Sequence, residues 1–407
     1  MRVTTAFKRL LRLPGASVAD VSFGAEGVIV TVRLRRRRRV CAGCGQTGRQ
    51  LEIHDRRVKR WRHLDLAGSR CLIECELRRL RCRDCGIRLE PVPWARPGAA
   101  HTRDFEDVVA WLAQQMARTP ICGLLRIGWD TVGRIVERVT ADHLDERRLE
   151  GLVCVGVDEI SYRRHHRYLT SVADHHTGAI VWCRPGRNSA TLAEFFAELG
   201  DRRHSIRAVS IDMSGEYQRA IRDAVPDAQI CFDPFHVCRL ASRATDQVRR
   251  DEWNAHERSH TSTGRWVKGT RWSLLKAPER QTVGQLATLW EVQTENRRLY
   301  RAFLLREELR LLYHLDDRRL APAHLDAWLS WASRSRLRPF VRLARTLRAH
   351  RDGILAAIRL GLSNGRLEGL NSKIRLISHR SYGFHSADAL IALVYLCCTG
   401  ITIDLPR

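Results

Sequence analysis

Gly151-Leu-Val-Cys-Val-Gly-Val-Asp158-Glu-Ile-Ser161 is an apolar, β-branched run that closes on a carboxylate. Such a run predicts a buried strand, with Asp158 near the end where side chains emerge into a crevice. Ile206-Arg-Ala-Val-Ser-Ile-Asp212-Met-Ser-Gly-Glu-Tyr217 has the same design: a short apolar strand delivers an aspartate and then turns into a helix. Far downstream, Ser363-Asn-Gly-Arg-Leu-Glu368-Gly-Leu-Asn-Ser-Lys-Ile-Arg375 reads as a helix with Leu367, Leu370, Ile374 and Ile377 in one apolar stripe. Its other side carries Asn364, Glu368, Asn371, Ser372 and Arg375 at intervals of three and four residues.

Three acidic groups from separate elements of a very basic chain point to a divalent-metal site acting on phosphate. Mg²⁺ takes oxygen ligands, keeps waters and needs only one or two carboxylates. Two such ions about 4 Å apart clamp the attacking and leaving oxygens of an in-line phosphoryl displacement. The 407 residues suffice for two or three domains. Lys plus Arg number 70 against 45 Asp plus Glu, a net charge of +25, so a polyanion, DNA or RNA, is the expected partner. No apolar run reaches transmembrane length and the start lacks a signal-peptide core, so a cytoplasmic protein without a membrane partner is expected. There the 13 cysteines are thiols or metal ligands rather than disulfides.

Residues 18 to 34 read as two short strands running into Arg35-Arg-Arg-Arg-Arg39. Two C-x-x-C knuckles follow, Cys41/Cys44 and Cys82/Cys85, each with a glycine after it. Four thiolates so paired make a closed tetrahedral Zn²⁺ site. The 37 residues between Cys44 and Cys82 leave room for two strands, around Trp61 and Cys71. Cys71 and Cys75 are competing ligands, but i, i+4 spacing on a strand reads as packing. Pro91, Pro93, Pro97 and Gly98 predict a linker. Beyond it the periodicity predicts a helix from Asp104, a short helix over Ile121–Ile127, a turn at Gly128-Trp129, and a third helix capped by Asp130. This is a helix-turn-helix pattern in which Thr131, Arg134 and Arg138 face DNA.

After Asp158, polar turns at 163–167 and 174–178 separate three strands of an antiparallel meander. A helix over Thr191–Leu199, the Asp212 strand, the helix Tyr217–Ala224 and the strand Ala228–Phe232 follow. That is the order of an RNase H-like fold, in which the first and fourth strands are neighbours and Asp158 meets Asp212. The histidine pairs 165/166 and 175/176 read as polar turn residues. Asp233-Pro-Phe-His236 reads equally as a helix cap with a packing histidine or as part of the site. From Val237 to Gly361 the pattern is entirely helical, with Trp253, Trp266, Trp272, Trp290, Trp328 and Trp331 as anchors, and reads as an insertion ahead of Glu368.

In order, the knuckles, the helix-turn-helix, Val155-Gly-Val-Asp-Glu159, Ser210-Ile-Asp-Met-Ser214, Phe232-Asp-Pro-Phe-His-Val237, Arg271-Trp-Ser-Leu-Leu-Lys276 and Asn364–Arg375 resemble the ISL-three family of bacterial insertion-sequence transposases over nearly the whole chain. The resemblance implies a multidomain α+β protein. Its parts would be a zinc-finger DNA-binding domain (1–97), a helix-turn-helix (98–150) and an RNase H-like catalytic domain (151–407) with an all-α insertion at about 245–345. It implies a metal-binding triad of Asp158, Asp212 and Glu368 holding Mg²⁺ or Mn²⁺, an auxiliary Asp233/His236 pair, and structural Zn²⁺. It further implies binding of double-stranded DNA, with Asn364, Asn371 and Arg375 among the contacts, by a nucleoid-associated homodimer. A DNA-binding regulator with an inactive core, or a nuclease that only hydrolyses, are the competing expectations.

Overall fold

The computed structural model describes residues 2–406 except 36, 37, 164–166, 214 and 382–385, and omits the side chains of Arg163 and Arg366. Arg36, Arg37, the histidine pair 165/166 and Ser214 of the quoted motifs lie outside or partly outside the described residues. The chain forms two compact units, residues 1–144 with 380–407, and residues 145–379.

The first unit opens with helix α1 (Val3–Leu11) and a five-stranded sheet: β1 (Ala16–Gly24), β2 (Gly27–Leu34), β3 (Glu52–Leu66), β4 (Ser69–Cys82) and β5 (Gly86–Leu89). The order is β1-β2-β4-β3, with β5 on β4. Alternation decides the inner face: Val28, Val30 and Val32 are buried while their neighbours are half-exposed. Ala67 and Gly68, both at positive φ (48° and 83°), close the β3–β4 hairpin in a two-residue turn. Cys71 and Cys75 are fully buried in this core, as their spacing predicts.

The proline-rich stretch 91–98 is not a linker. Trp94 is 1% exposed and meets Trp61 edge-on at 5.7 Å. Arg96, equally buried, donates to Glu106, Asp107 and Asp142. The prolines hold an extended path, and the residues between them supply the core. Truncating a tryptophan buried this way costs about 3–5 kcal/mol.

Helices α2 (Arg103–Gln115), α3 (Arg118–Leu125) and α4 (Trp129–His143) follow. Thr102 caps α2, its Oγ1 accepting from Phe105 N. The cap of α4 is Gly128, not Asp130, and α3 starts and ends earlier than the pattern predicted. The Arg118 guanidinium lies 4.5 Å over the Trp129 ring and ties α3 to α4.

In the second unit β6 (Cys154–Arg163), β7 (Arg167–Asp174) and β8 (Ile180–Pro185) form the meander, followed by helix α5 (Ser189–Leu199), β9 (Ala208–Ile211), helix α6 (Gly215–Ala224) and β10 (Gln229–Phe232). The sheet order is β10-β9-β6-β7-β8, with β9 parallel to β6 and β10 parallel to β9. The first and fourth strands are therefore neighbours, as expected of an RNase H-like order. One detail differs: β6 does not end at Asp158 but continues to Arg163 against β7.

The helical segment comprises α7 (Pro234–Ala255), α8 (Ser262–Gly269), α9 (Arg271–Leu275), α10 (Val283–Glu295), α11 (Arg297–Leu311), α12 (Ala321–Arg334), α13 (Arg338–Ala349) and α14 (Arg351–Leu360). Of the tryptophans expected to anchor it, Trp328 is buried and Trp253 and Trp266 are partly so, but Trp272, Trp290 and Trp331 are exposed. Helix α15 (Gly365–Arg380) carries Glu368. The last helix, α16 (Ala387–Cys398), packs in the first unit. Ala392 O accepts from Thr140 Oγ1 and Leu396 O from Gln114 Nε2.

Candidate active site

The crevice of the second unit exists because β9 stops early. Its pairing with β6 runs Cys154–Ala208, Val155–Val209, Gly156–Ser210, and β9 ends at Ile211. Beyond that point one side of β6 is uncovered, and the same register brings Asp158 level with Asp212. Helix α15 covers the gap, and a residue without a side chain lets it approach. A Cβ at Gly156 would lie 2.6 Å from Leu367 Cδ1, 3.0 Å from Ser210 Oγ and 3.1 Å from His175 Nε2.

The resulting cavity, about 480 Å³, is lined by Asp158, Glu159, Asp212, Glu368, His236, Asn371 and Ser372, with Tyr168, Phe235, Arg239 and Arg375 completing it. Burial raises the proton affinity of Asp158 despite hydrogen bonds from Glu159 N and Asn371. Burial, then the Asp212 charge, raises that of Glu159. Burial, then Asp233, raises that of Glu368. Carboxylates crowded in this way are the donor set for a hard divalent cation, which would remove the repulsion.

Hydrogen bonds hold these groups in place. Asp158 Oδ1 accepts from Glu159 N at 2.7 Å and Oδ2 from Asn371 Nδ2 at 2.5 Å. Beneath the cavity, His175 Nε2 and Ser210 Oγ are 2.6 Å apart, and Ser210 donates a short bond to Asn364 Oδ1. The single hydroxyl proton goes to Asn364, so His175 Nε2 is the donor to Ser210. Asn364 N in turn donates to Asp233 Oδ1 at 3.1 Å. Asp233 also caps α7, with Pro234 in the first turn, and His236 lines the cavity. Asp233 Oδ2 is buried without a hydrogen-bond partner among the described residues, 3.8 Å from His236 Nε2.

These contacts correct several expectations. Asn364 and Asn371, expected among the DNA contacts, are buried and hydrogen-bond to Ser210 and Asp158. Arg375 is exposed at the cavity, and Arg134 is exposed on α4, with Thr131 half-buried. Arg138 is committed to the buried Glu106, at 2.9 Å. His175 is a structural member of the network rather than a solvated turn residue. Sequence reading also missed Glu159, Tyr168, Phe235 and Arg239. Glu159 follows Asp158 directly, and the alternation of a strand gives no reason to expect both side chains in one cavity.

In the first unit Cys41, Cys44, Cys82 and Cys85 bring their sulfurs within 4.8 Å of one another. Backbone N–H groups of Cys44 and Gly43 lower the Cys41 thiol to about 6, while its neighbours, Cys44 first, push Cys85 up to about 12. Four thiols this close ionise together only around a cation.

Three family models match in chain order. A zinc-finger of transposase IS204/IS1001/IS1096/IS1165 matches residues 37–85. A helix-turn-helix domain of transposase family ISL3 matches 90–140, and the ISL3 DDE transposase domain matches 155–394. The chain belongs to the ISL3 family of transposases. This transposase is 40% identical to the transposase for insertion sequence element IS1557 of Mycobacterium tuberculosis, over 100% of this chain and 98% of that one. It is 29% identical to the transposase for insertion sequence element IS1001 of Bordetella parapertussis, over 86% of each. The Drosophila P element transposase strand transfer complex aligns with a TM-score of 0.40 and 10% identity over 72% of this chain and 91% of that one. The transposase is thus a DDE-family enzyme of DNA transposition, with a four-cysteine zinc ribbon, a helix-turn-helix and a mixed α/β core. Among the described residues no helix is long and apolar enough to cross a membrane.

Proposed function

We propose that this transposase binds the terminal inverted repeats of its element and catalyses metal-dependent end cleavage and strand transfer with Asp158, Asp212 and Glu368. The observation that carries the reading is their meeting in one cavity, from β6, the end of β9 and α15, in a chain of net charge +25. Mg²⁺ or Mn²⁺ bound there would activate the attacking hydroxyl and neutralise charge on the phosphodiester. The protein's part is to hold the carboxylates still and ionised, which the Asn371 amide and the Glu159 N–H do for Asp158. Arg239 and Arg375 face a phosphate backbone, and the exposed Phe235 offers a ring to sugar or base.

In the first step water attacks a phosphodiester at the element's end, the P–O3′ bond breaks, and a 3′-hydroxyl is released. In the second, that hydroxyl attacks a target phosphodiester, forming a new P–O bond as the target's own 3′-oxygen leaves. Each step exchanges one bond to phosphorus for another, so no nucleotide cofactor is consumed. The zinc ribbon, with Zn²⁺ on Cys41, Cys44, Cys82 and Cys85, and the helix-turn-helix, with Thr131 and Arg134, would read the repeats. Two copies would pair on DNA to treat two ends.

The test uses the zinc-loaded full chain with linear DNA carrying its own flanking repeats. Cleavage and joining into a plasmid are expected with Mg²⁺, neither with EDTA, and neither from Glu368→Gln, which still protects the repeats in a footprint. Cleavage by that variant would reject the site. Cleavage without joining would leave a hydrolytic nuclease.

A further inference from the structure

Helix α10 is turned inside out. Its only buried residue is Val292. Val283, 84% exposed, lies nine residues before it, about two and a half turns, and so on the opposite side. Leu286 and Trp290, 43% and 78% exposed, follow Val283 at i+3 and i+7 on that outward face, with Ala287 between them. An exposed apolar stripe that ends on a tryptophan marks a contact surface.

Charge decides what kind of surface covers it. Residues 281–296 contain no Lys, Arg or His, in a chain with 70 Lys and Arg. The helix carries two acids, Glu291 and Glu295, near its C-terminal end. The stretch itself therefore offers a polyanion such as DNA no cation, only these two acids. At the other end, just before the helix, Arg280 is exposed and has no acidic partner within 4 Å among the described residues. A second copy of the helix laid antiparallel about a two-fold axis satisfies both ends. The axis then passes near Leu286 and Ala287, the midpoint of the stripe, and each Arg280 falls level with position 294 of its partner, between Glu291 and Glu295. Each acidic end also lies against the positive N-terminal end of the opposing helix. Three large side chains over roughly 10 Å of helix cover well under the ~800 Å² per partner of a stable dimer. The pairing is therefore weak in free protein and completed when DNA brings two copies together.

We propose that the outward face of α10 is a self-association surface, pairing Val283, Leu286 and Trp290 with their counterparts on a second copy. This extends the homodimer reading above, and measuring it without DNA keeps its failure separate from that of the catalytic site. Sedimentation equilibrium of the zinc-loaded full chain across the micromolar range is expected to show monomer–dimer exchange. Trp290→Ala should weaken it about tenfold or more. Arg280→Glu should weaken it too, and adding Glu291→Arg and Glu295→Arg should restore it. Ala287→Cys should give an oxidative dimer across position 287 itself, absent from the wild-type control. These side chains are exposed, though Glu291 accepts from Trp266 Nε1, so thermal melts of the Trp290→Ala and Arg280→Glu variants should not move. A chain monomeric throughout, a dimer indifferent to Trp290→Ala, or a failed charge swap would overturn the proposal. So would a Trp290→Ala variant that loses DNA affinity while its self-association is unchanged.

Discussion

The two metal-type sites differ in closure. Four thiols of the zinc ribbon lie within 4.8 Å of one another, and among the described residues no other set of three or more Cys, His, Asp or Glu does so. The carboxylates of the second unit share a cavity but stay further apart. That is what the two proposed tasks require. A structural zinc is enclosed by its ligands, whereas two ions about 4 Å apart, each roughly 2 Å from its oxygens, need carboxylates spread along the pair, with positions left for water and substrate. The closed site ties one sheet together, and the open one is held apart by a frame of hydrogen bonds.

The contrast is broken most directly by separating the two losses. Asp158→Asn should lower cleavage by about 10³-fold or more, several kcal/mol of transition-state stabilisation, with unchanged protection of the repeats. Cys82→Ser, or a strong zinc chelator, should do the reverse: it should melt the zinc-ribbon sheet at lower temperature and abolish repeat binding. If both variants lose binding equally, the sites are not independent.

A smaller effect tests the frame. Asn371→Ala frees Asp158 Oδ2 without removing a carboxylate, so the rate should fall about 10- to 100-fold and the Mg²⁺ requirement rise. An unchanged Mg²⁺ titration would count against a positioning role.

Proton linkage sharpens the comparison further. Asp158, Glu159 and Glu368 bind protons more tightly in the folded state than ordinary carboxylates do. Their contribution to stability is thus present below the ordinary carboxylate range and lost as pH rises through the raised folded values. Without magnesium, the melting temperature of the zinc-loaded protein relative to its Glu368→Gln variant, in which His63, His101 and His350 titrate alike, should fall as pH rises from about 4.5 toward neutrality, and Mg²⁺ should flatten that difference. A slope of the opposite sign would remove the crowded-carboxylate account.

The smallest expected change lies on α4. Arg134→Ala should weaken repeat binding and reduce its salt dependence by about one ion, with no change in melting. Arg138→Ala should instead lower the melting temperature, because it leaves the buried Glu106 with less compensation.

Much of the second unit was legible because its signals are local. Apolar runs that close on Asp158 and Asp212, and the stripe of α15, follow from periodicities of two and 3.6 residues. The 91–98 stretch was misread for the opposite reason: proline content describes chain stiffness, not whether Trp94 and Arg96 between the prolines find partners. Asn364 and Asn371 share a helix face with Glu368, but periodicity does not reveal that this face meets β6 rather than solvent. The exposed tryptophans of the helical segment show the same limit, since a helix such as α10 with apolar residues on two sides does not say which side is buried.

The sequence by itself determined the order of the parts: two cysteine knuckles, a helix-turn-helix, a strand meander, and three acids on separate elements. Spacing along a chain is enough for that. Only tertiary structure decided that β9 stops at Ile211, that Gly156 lets α15 approach, and that Ser210, Asn364 and Asn371 spend their hydrogen bonds on the site. Such contacts join residues as many as 213 positions apart, and local periodicity carries no record of them.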